Sequence, residues 1–339
     1  MWSIGTFGRN QEGGQQGALT LQWDGTAWTI VPHPQPGSDS ELLDIAASSS
    51  TDVWAVGMTS DAEGNGPHGL IEHWDGMAWS VIPAMDPGST FWHFEGVATA
   101  GPDDVWAVGN TATGDSGGTL IEHWNGKSWA IVASPAPKPQ PLSGEPYSSL
   151  DAVTAISSDD VWAVGEVTNV APAGASNTLI EHWDGNVWSV ISSPDVVAND
   201  TGEPFDHLLS VAANSPSDVW AVGIYGEGAG IEGQGDHALV EHWNGQSWTV
   251  VATPDGGTWN RLHGVAAWSG GALVVGSYQN ESGGTSSALI EKWDGTSWKV
   301  VENPAGPAVR LYGVASVPSD GAWAVGSSKE GQTLTLRCQ

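Results

Sequence analysis

One short module recurs seven times along this chain, and that recurrence restricts the fold more than any other property. Its marker is a run of the form Trp-Ala-Val-Gly. Copies begin at Trp2, Trp54, Trp106, Trp162, Trp220, Leu273 and Trp323, at spacings of 52, 52, 56, 58, 53 and 50 residues. A self-similar period of this length signals a solenoid, a propeller or an array, whose units bury their faces only against their neighbours.

The period from residue 42 to residue 83 shows what one copy contains. Residues 42–47 (Leu-Leu-Asp-Ile-Ala-Ala) are apolar and small, and a Ser/Thr/Asp turn follows. Then come residues 53–57 (Val-Trp-Ala-Val-Gly), a Gly-rich loop, residues 70–74 (Leu-Ile-Glu-His-Trp), Asp75-Gly76 and residues 79–82 (Trp-Ser-Val-Ile), closed by Pro83. β-Branched and aromatic runs bounded by turn residues read as four short strands. Asp-Gly or Asn-Gly between apolar runs is a hairpin signal, and the expectation is a type I′ turn with positive φ at both residues. The dipeptide recurs at Asp24, Asp75, Asn125, Asp184, Asn244 and Asp294. No stretch carries helical periodicity, and no apolar run is long enough for a membrane-crossing helix.

Four antiparallel strands per period describe a propeller blade. The first strand is rich in Gly and Ala, as in Gly96-Val97-Ala98 and Gly313-Val314-Ala315, which suits a crowded centre and places it innermost. The fourth, Trp-led strand then lies outside. A strand ending in Val-Gly, then one ending in an aromatic and a turn, then a Trp-led strand and Pro, resembles kelch repeats of the galactose-oxidase-like propeller type. The likeness is greater to bacterial propellers with Asp-Val-Trp-Ala-Val-Gly blades, the sequence found at 52–57, 104–109, 160–165 and 218–223. It spans essentially the whole chain and implies a fold, not an activity. Kelch repeats usually carry two adjacent glycines where this chain has one.

The expectation is therefore an all-β, seven-repeat β-propeller of four-stranded antiparallel blades, forming one domain over residues 1–339. The repeats fall near 1–40, 41–91, 92–148, 149–206, 207–260, 261–309 and 310–339. The first and last blades are incomplete. The chain starts within a second strand at Trp2, and residues 333–339 align with 18–24, which puts Cys338 where other repeats have Trp. A fragment of a longer protein, an imperfectly closed ring and completion by another chain all remain open.

Composition excludes several functions. Of the 21 Trp, 18 occupy three repeat positions, so they read as packing residues; Trp92, Trp259 and Trp268 remain outside the pattern. The chain has 39 acidic residues against 9 basic ones, a net charge of −30. Nucleic-acid binding is excluded, because phosphate contacts need clustered Lys and Arg. Anionic membranes are disfavoured for the same reason, and no membrane insertion is expected. A single Cys allows no internal disulfide framework. No leader is legible at Met1, where repeat sequence begins at once. The acidic excess and two glycosylation-type sequences (at Asn199 and Asn280) point to an extracellular or cell-surface setting.

Function tends to ride on variable loops over a rigid scaffold. Loops after second and fourth strands share one face, at 58–69, 133–148, 166–178, 192–206, 224–236 and 278–287. The residues entering the inner strands sit near the channel mouth on that face: Glu41, His93, Ser149, His207, Arg261 and Arg310. The chain has four Arg, and two of them hold this one position, which suits an anionic ligand; pairing with nearby Asp or Glu is the plainer reading. Phe91, Trp92, Tyr147, Tyr225, Trp259, Tyr278 and Tyr312 offer aromatic faces on which sugar rings stack, or else pack loops onto blades. Asp61, Glu63 and Asn65, with Glu72, have the spacing of a calcium loop, but Glu72 recurs in other repeats without such a loop and reads first as a strand residue. Calcium is thus a weak candidate and no other cofactor is expected. The His of the recurring Glu-His-Trp (His73, His123, His182, His242) come one per blade and read as structural.

Enzyme signatures are missing. A copper-radical site needs a Cys–Tyr crosslink, and the lone Cys338 lies at the end of an outer strand. Sialidase-type boxes need Asp and Gly separated, and here they are adjacent. No nucleophile elbow, phosphate loop or zinc-spaced His set is present. The expectation is a non-enzymatic binding or scaffold propeller with a protein or glycan partner. Its candidate residues are Trp92, His93, Tyr147 and His207, with Trp259, Arg261, Arg310 and Tyr312. The alternatives are a lectin-like propeller and a polysaccharide-acting enzyme, which would need paired carboxylates such as Glu41 with Glu95 or Asp151.

Overall fold

In the computed structural model, the described residues are all but 8–16, 38, 62–65, 114–115, 136–146, 169–175, 197–203, 228–235, 281–283, 304–305, 307, 318–320, 329–330 and 339. Among them the regular structure is entirely β. The first repeat forms β1 (Trp2–Phe7), β2 (Gly17–Trp23) and β3 (Trp28–Ile30). The second forms β4 (Ser40–Ser49), β5 (Asp52–Thr59), β6 (His68–Trp74) and β7 (Trp79–Val81). The third forms β8 (Phe91–Gly101), β9 (Asp104–Thr113), β10 (Ser116–Trp124) and β11 (Trp129–Ile131). The fourth forms β12 (Ser148–Ser157), β13 (Asp160–Thr168), β14 (Ser176–Trp183) and β15 (Trp188–Val190). The fifth forms β16 (Pro204–Ser215), β17 (Asp218–Glu227), β18 (His237–Trp243) and β19 (Trp248–Val250). The sixth forms β20 (Trp259–Trp268), β21 (Gly271–Gln279), β22 (Ser287–Trp293) and β23 (Trp298–Val300). The seventh forms β24 (Val309–Val317), β25 (Gly321–Ser328) and β26 (Thr333–Cys338).

Consecutive strands pair antiparallel in sequence order, so each blade is a simple meander. The first and seventh sheets have three strands each, β1-β2-β3 and β24-β25-β26. The chain divides into two compact units. One holds residues 1–136, 147–163 and 183–189; the other holds residues 164–182 and 190–339.

Three local rules build a blade. The first concerns the glycine of the repeat marker. A Cβ on Gly57 would lie 2.1 Å from the Glu41 carbonyl oxygen, and one on Gly276 would lie 1.8 Å from that of Arg261. Any side chain there would push the inner strand off its neighbour. The second is a bulge in the inner strand: register slips between Leu42 and Asp44, Phe94 and Gly96, Leu262 and Gly264, and Leu311 and Gly313. A bulge re-aims the residue it leaves over, here Glu95, His263 or Tyr312. The third is the outer hairpin. It differs from the type I′ expectation, because only its glycine takes positive φ, as at Gly76 (93°). Asp75 stays in the ordinary region because its Oδ1 accepts the N–H of Met77 (2.8 Å) and Ala78 (2.9 Å), closing a four-residue turn. The Ala78 N–H bond, then that of Met77, hold its carboxyl below the usual range.

The core of each unit lies between its blades. In the first unit, Trp2 meets Trp74 at 4.9 Å and Trp79 at 5.2 Å, and Trp54 meets Trp124 and Trp129 at 5.1 and 5.4 Å. In the second, Trp220 meets Trp293 and Trp298 at 5.1 and 5.2 Å. One partner is edge-on at 83–87° in the Trp54 and Trp220 clusters, a geometry the ring quadrupole favours. Trp2, Trp54, Trp106 and Trp220 are thus each clasped by the two Trp of the following blade. The recurring His completes the cluster. His242 stacks on Trp220 at 4.1 Å and bonds Asp218 at 2.8 Å; His73 and His123 do the same with Trp54, Asp52 and Trp106, Asp104.

Candidate functional site

Arg310 and Tyr312 stand on β24, one on each side of Leu311, which is fully buried. Alternation along the strand therefore sends both away from the core. They line a cavity of about 390 Å³ with Thr285, Ser286, Ser327 and Ser328. Ser327 lies across the ladder from Arg310. Arg310 Nε donates to Ser286 Oγ at 3.0 Å, and Gln279 Nε2 donates to the same oxygen at 2.7 Å. Among the described residues Arg310 makes no ion pair. Tyr312 is 49 % exposed and meets the ring of His263 at 5.6 Å. The lining is a guanidinium, a phenol and four hydroxyls, which suits a ligand with an anionic group and several hydroxyls.

Arg261 holds the same register position one blade earlier and is used differently. Its Nε and Nη2 reach Asp236 Oδ2 at 2.7 and 2.6 Å, and Asp236 is 5 % exposed. This guanidinium is neutralised in place. The other entry residues are also engaged. His93 Nε2 pairs with Glu95 at 2.7 Å, and Ser149 donates to Asp151 at 2.9 Å. His207 lies 4.0 Å from Glu166 and edge-on to Phe205. Glu41 also has a partner.

The aromatic candidates divide by exposure. Trp92 is 7 % exposed, belongs to the first unit's core, and packs edge-on against Phe94 at 5.9 Å. Room for its ring comes from Gly69, where a Cβ would lie 2.2 Å away. Tyr147 lies over Gly117 in the same manner, at 2.3 Å. Trp259 is half-buried at the head of β20. Tyr312 combines high exposure with a neighbouring guanidinium, Arg310, that has no ion pair among the described residues.

The carboxylate candidates lie on the inner strands of the first unit. Asp44 accepts the N–H of Val97 (2.8 Å) and Ile45 (2.8 Å). Burial and, beyond it, the charge of Glu95 push its carboxyl up to about 6. Of the calcium trio, Asp61 has a partner, while Glu63 and Asn65 lie outside the described residues. No group of three or more potential metal ligands is found among the described residues.

Sequence reasoning did not anticipate the role of the third-strand glutamates. Glu72, Glu122, Glu181, Glu241 and Glu291 are all fully buried. His33 from the preceding repeat meets Glu72 at 3.0 Å, Met85 N–H donates to Glu122 at 3.2 Å, and Thr253 donates to Glu291. Both oxygens of Glu241 lack a hydrogen-bond partner among the described residues. Burial pushes Glu122 up to about 7 and Glu241 and Glu291 up to about 8. Five recurrences of Glu before an aromatic-rich hairpin were the signal.

No protein-family model matches the chain. No curated protein is similar to it. Solved structures do resemble it. Ulvan lyase, a polysaccharide lyase solved with -[GlcA(1-4)Rha3S]-, is 10 % identical over 98 % of this chain and 89 % of its own, with a TM-score of 0.62. YCF48 bound to D1 peptide is 14 % identical over 93 % and 82 %, with a TM-score of 0.54. Trypanosoma rangeli sialidase is 12 % identical over 91 % of this chain and 54 % of its own, with a TM-score of 0.53. At such identities the likeness is one of fold: the chain is an all-β propeller of repeated antiparallel blades.

Proposed function

We propose that this chain is a non-catalytic binding module, a kelch-like propeller outside the cell, whose ligand seats in the cavity at Arg310. The observation that carries the reading is a guanidinium with no ion pair among the described residues. In a chain of net charge −30, the equivalent Arg261 is clamped by Asp236, while Arg310 faces an open cavity lined by hydroxyls. A cation left without its own carboxylate is available to one from a ligand.

The fold accommodates either class of partner. YCF48 is solved with a peptide and ulvan lyase with -[GlcA(1-4)Rha3S]-, and neither likeness transfers a ligand to this chain. The glycan reading is favoured by Tyr312, whose half-exposed ring stands beside Arg310 as a stacking face. The test is a panel of peptides, neutral glycans and uronic-acid glycans offered to the purified chain. Binding of an anionic ligand that Arg310→Ala weakens at least tenfold, with Arg261→Lys as a control that keeps it, supports the reading. Turnover of any saccharide on the panel, or binding indifferent to Arg310→Ala, overturns it.

A further inference from the structure

Ser286 is buried in the wall of the Arg310 cavity, and its hydroxyl is constrained from two sides. Its Oγ accepts from Arg310 Nε at 3.0 Å and from Gln279 Nε2 at 2.7 Å. A serine oxygen has two lone pairs to accept with and one proton to give. Both lone pairs are occupied, so the proton leaves in a third direction, and among the described residues it meets no acceptor. Arg310 spends Nε on Ser286, which leaves its two Nη groups for a ligand.

The groups held ready in this cavity are therefore donors: the Nη groups of Arg310 and the Oγ–H of Ser286. They fit a group that accepts without donating, which is an ionised carboxylate. An alcohol in that place is a weaker, uncharged acceptor, and its own proton finds neither lone pair of Ser286 free. Among the described residues Arg310 is the one charged side chain of the lining, and the polar remainder is Tyr312 and hydroxyls. The volume of about 390 Å³ is the room of about a dozen waters, and so of one sugar ring. Beyond it the chain carries a net charge of −30, a field that repels further anionic groups on the same ligand. The wall also includes Ala308 at φ 66°, a left-handed backbone that costs strain and is kept where a functional geometry needs it.

We propose that the cavity takes the terminal residue of a glycan bearing a single uronic acid, and that Gln279 is a positioning residue for its carboxylate. Arg310 Nη and Ser286 Oγ–H receive the carboxylate, and the sugar ring lies against Tyr312. Gln279 acts through Ser286, by occupying the lone pair whose release would let the hydroxyl turn. This rests on the reading of the Arg310 cavity as the binding site, and adds which ligand it takes and what selects it.

Isothermal titration calorimetry with the 339-residue chain compares three probes. They are a neutral disaccharide capped with glucuronic acid, the same sugar with its carboxyl reduced to an alcohol, and a tri-glucuronate. The capped disaccharide should bind at least tenfold more tightly than its reduced form. The tri-glucuronate should bind more weakly than the capped disaccharide at low salt, with the gap closing as salt screens the chain's charge. Gln279→Met keeps the side-chain length and removes the donor. It should lower the preference for the carboxylate several-fold and leave the affinity for the reduced sugar within about twofold. Ser286→Ala should lower that preference as far, and the double variant no further, because Gln279 acts only through Ser286. Should Gln279→Met misfold by circular dichroism, Ser286→Ala decides. Equal weakening of both sugars by either variant overturns the proposal, as does tighter binding of the tri-glucuronate at low salt. Arg310-dependent binding of a peptide or a sulfated glycan, with the capped disaccharide ignored, overturns it and leaves the site standing. If no anionic ligand binds in a way that responds to Arg310→Ala, both fall.

Discussion

The contact around Trp220 and the contact around Leu273 occupy equivalent places in successive blades, and they are built from opposite materials. The first holds an indole clasp, a His–Asp bond and the buried Glu291. The second holds Leu273, Lys292 and Leu336 in the place of that glutamate, with a cavity beside them. The marker residues therefore serve blade-to-blade packing. Where they are replaced, at Leu273, Lys292 and Cys338, a cavity borders the strands.

The largest test of this contrast is truncation of the two central residues. Trp220→Ala should cost about 3–5 kcal/mol of unfolding free energy, and Leu273→Ala about 2–3, because Leu273 already borders a void. Denaturant titration checks it; equal losses would break the contrast.

Next comes pH. The raised carboxyls are protonated in the fold and ionised in the unfolded chain above their ordinary value near 4.5. The unfolded state then binds fewer protons, so stability falls as pH rises. The stabilisation is complete below about pH 4.5 and is lost by about pH 8, with a limiting slope of about 1.4 kcal/mol per pH unit per group. Thermal melts at pH 5.5 and 8.5 should show the lower Tm at the higher pH. Glu291→Gln should flatten the curve, and a substitution at Leu336 should leave it unchanged.

A smaller effect separates the two entry arginines. Arg261→Ala leaves the buried Asp236 unpaired and should cost about 1–3 kcal/mol. Arg310→Ala should change stability by less than about 0.5 kcal/mol and act on binding alone. A further comparison concerns His242 and Lys292, which hold equivalent places on successive third strands. His242→Ala should cost about 1 kcal/mol through its bond to Asp218, and Lys292→Ala should fall within error of zero.

Much of the architecture was legible because its residues are used repeatedly. Strand order, hairpin positions and the three-stranded terminal sheets follow from a pattern in which Gly, Trp and Asp-Gly recur at fixed offsets. The site was only partly legible. Arg310 and Tyr312 drew notice by position and fell into one cavity. Arg261 drew the same notice and is neutralised by Asp236, which lies 25 residues away in sequence and on another blade. Trp92 lay outside the pattern yet is core, because the room for its ring is made by Gly69, a residue with no side chain to read. The Leu273 cavity was written as absences, and a missing Trp becomes visible only when register aligns it with those present.

The indole clasps have an optical consequence. Rings held about 5 Å apart at fixed inclination couple their electronic transitions, so each clasp contributes a chiral exciton signal that disappears when its two blades separate. The contact at Leu273 contributes none. Circular dichroism in the aromatic region therefore follows the loss of contacts between the Trp-bearing blades, against a silent contact at Leu273.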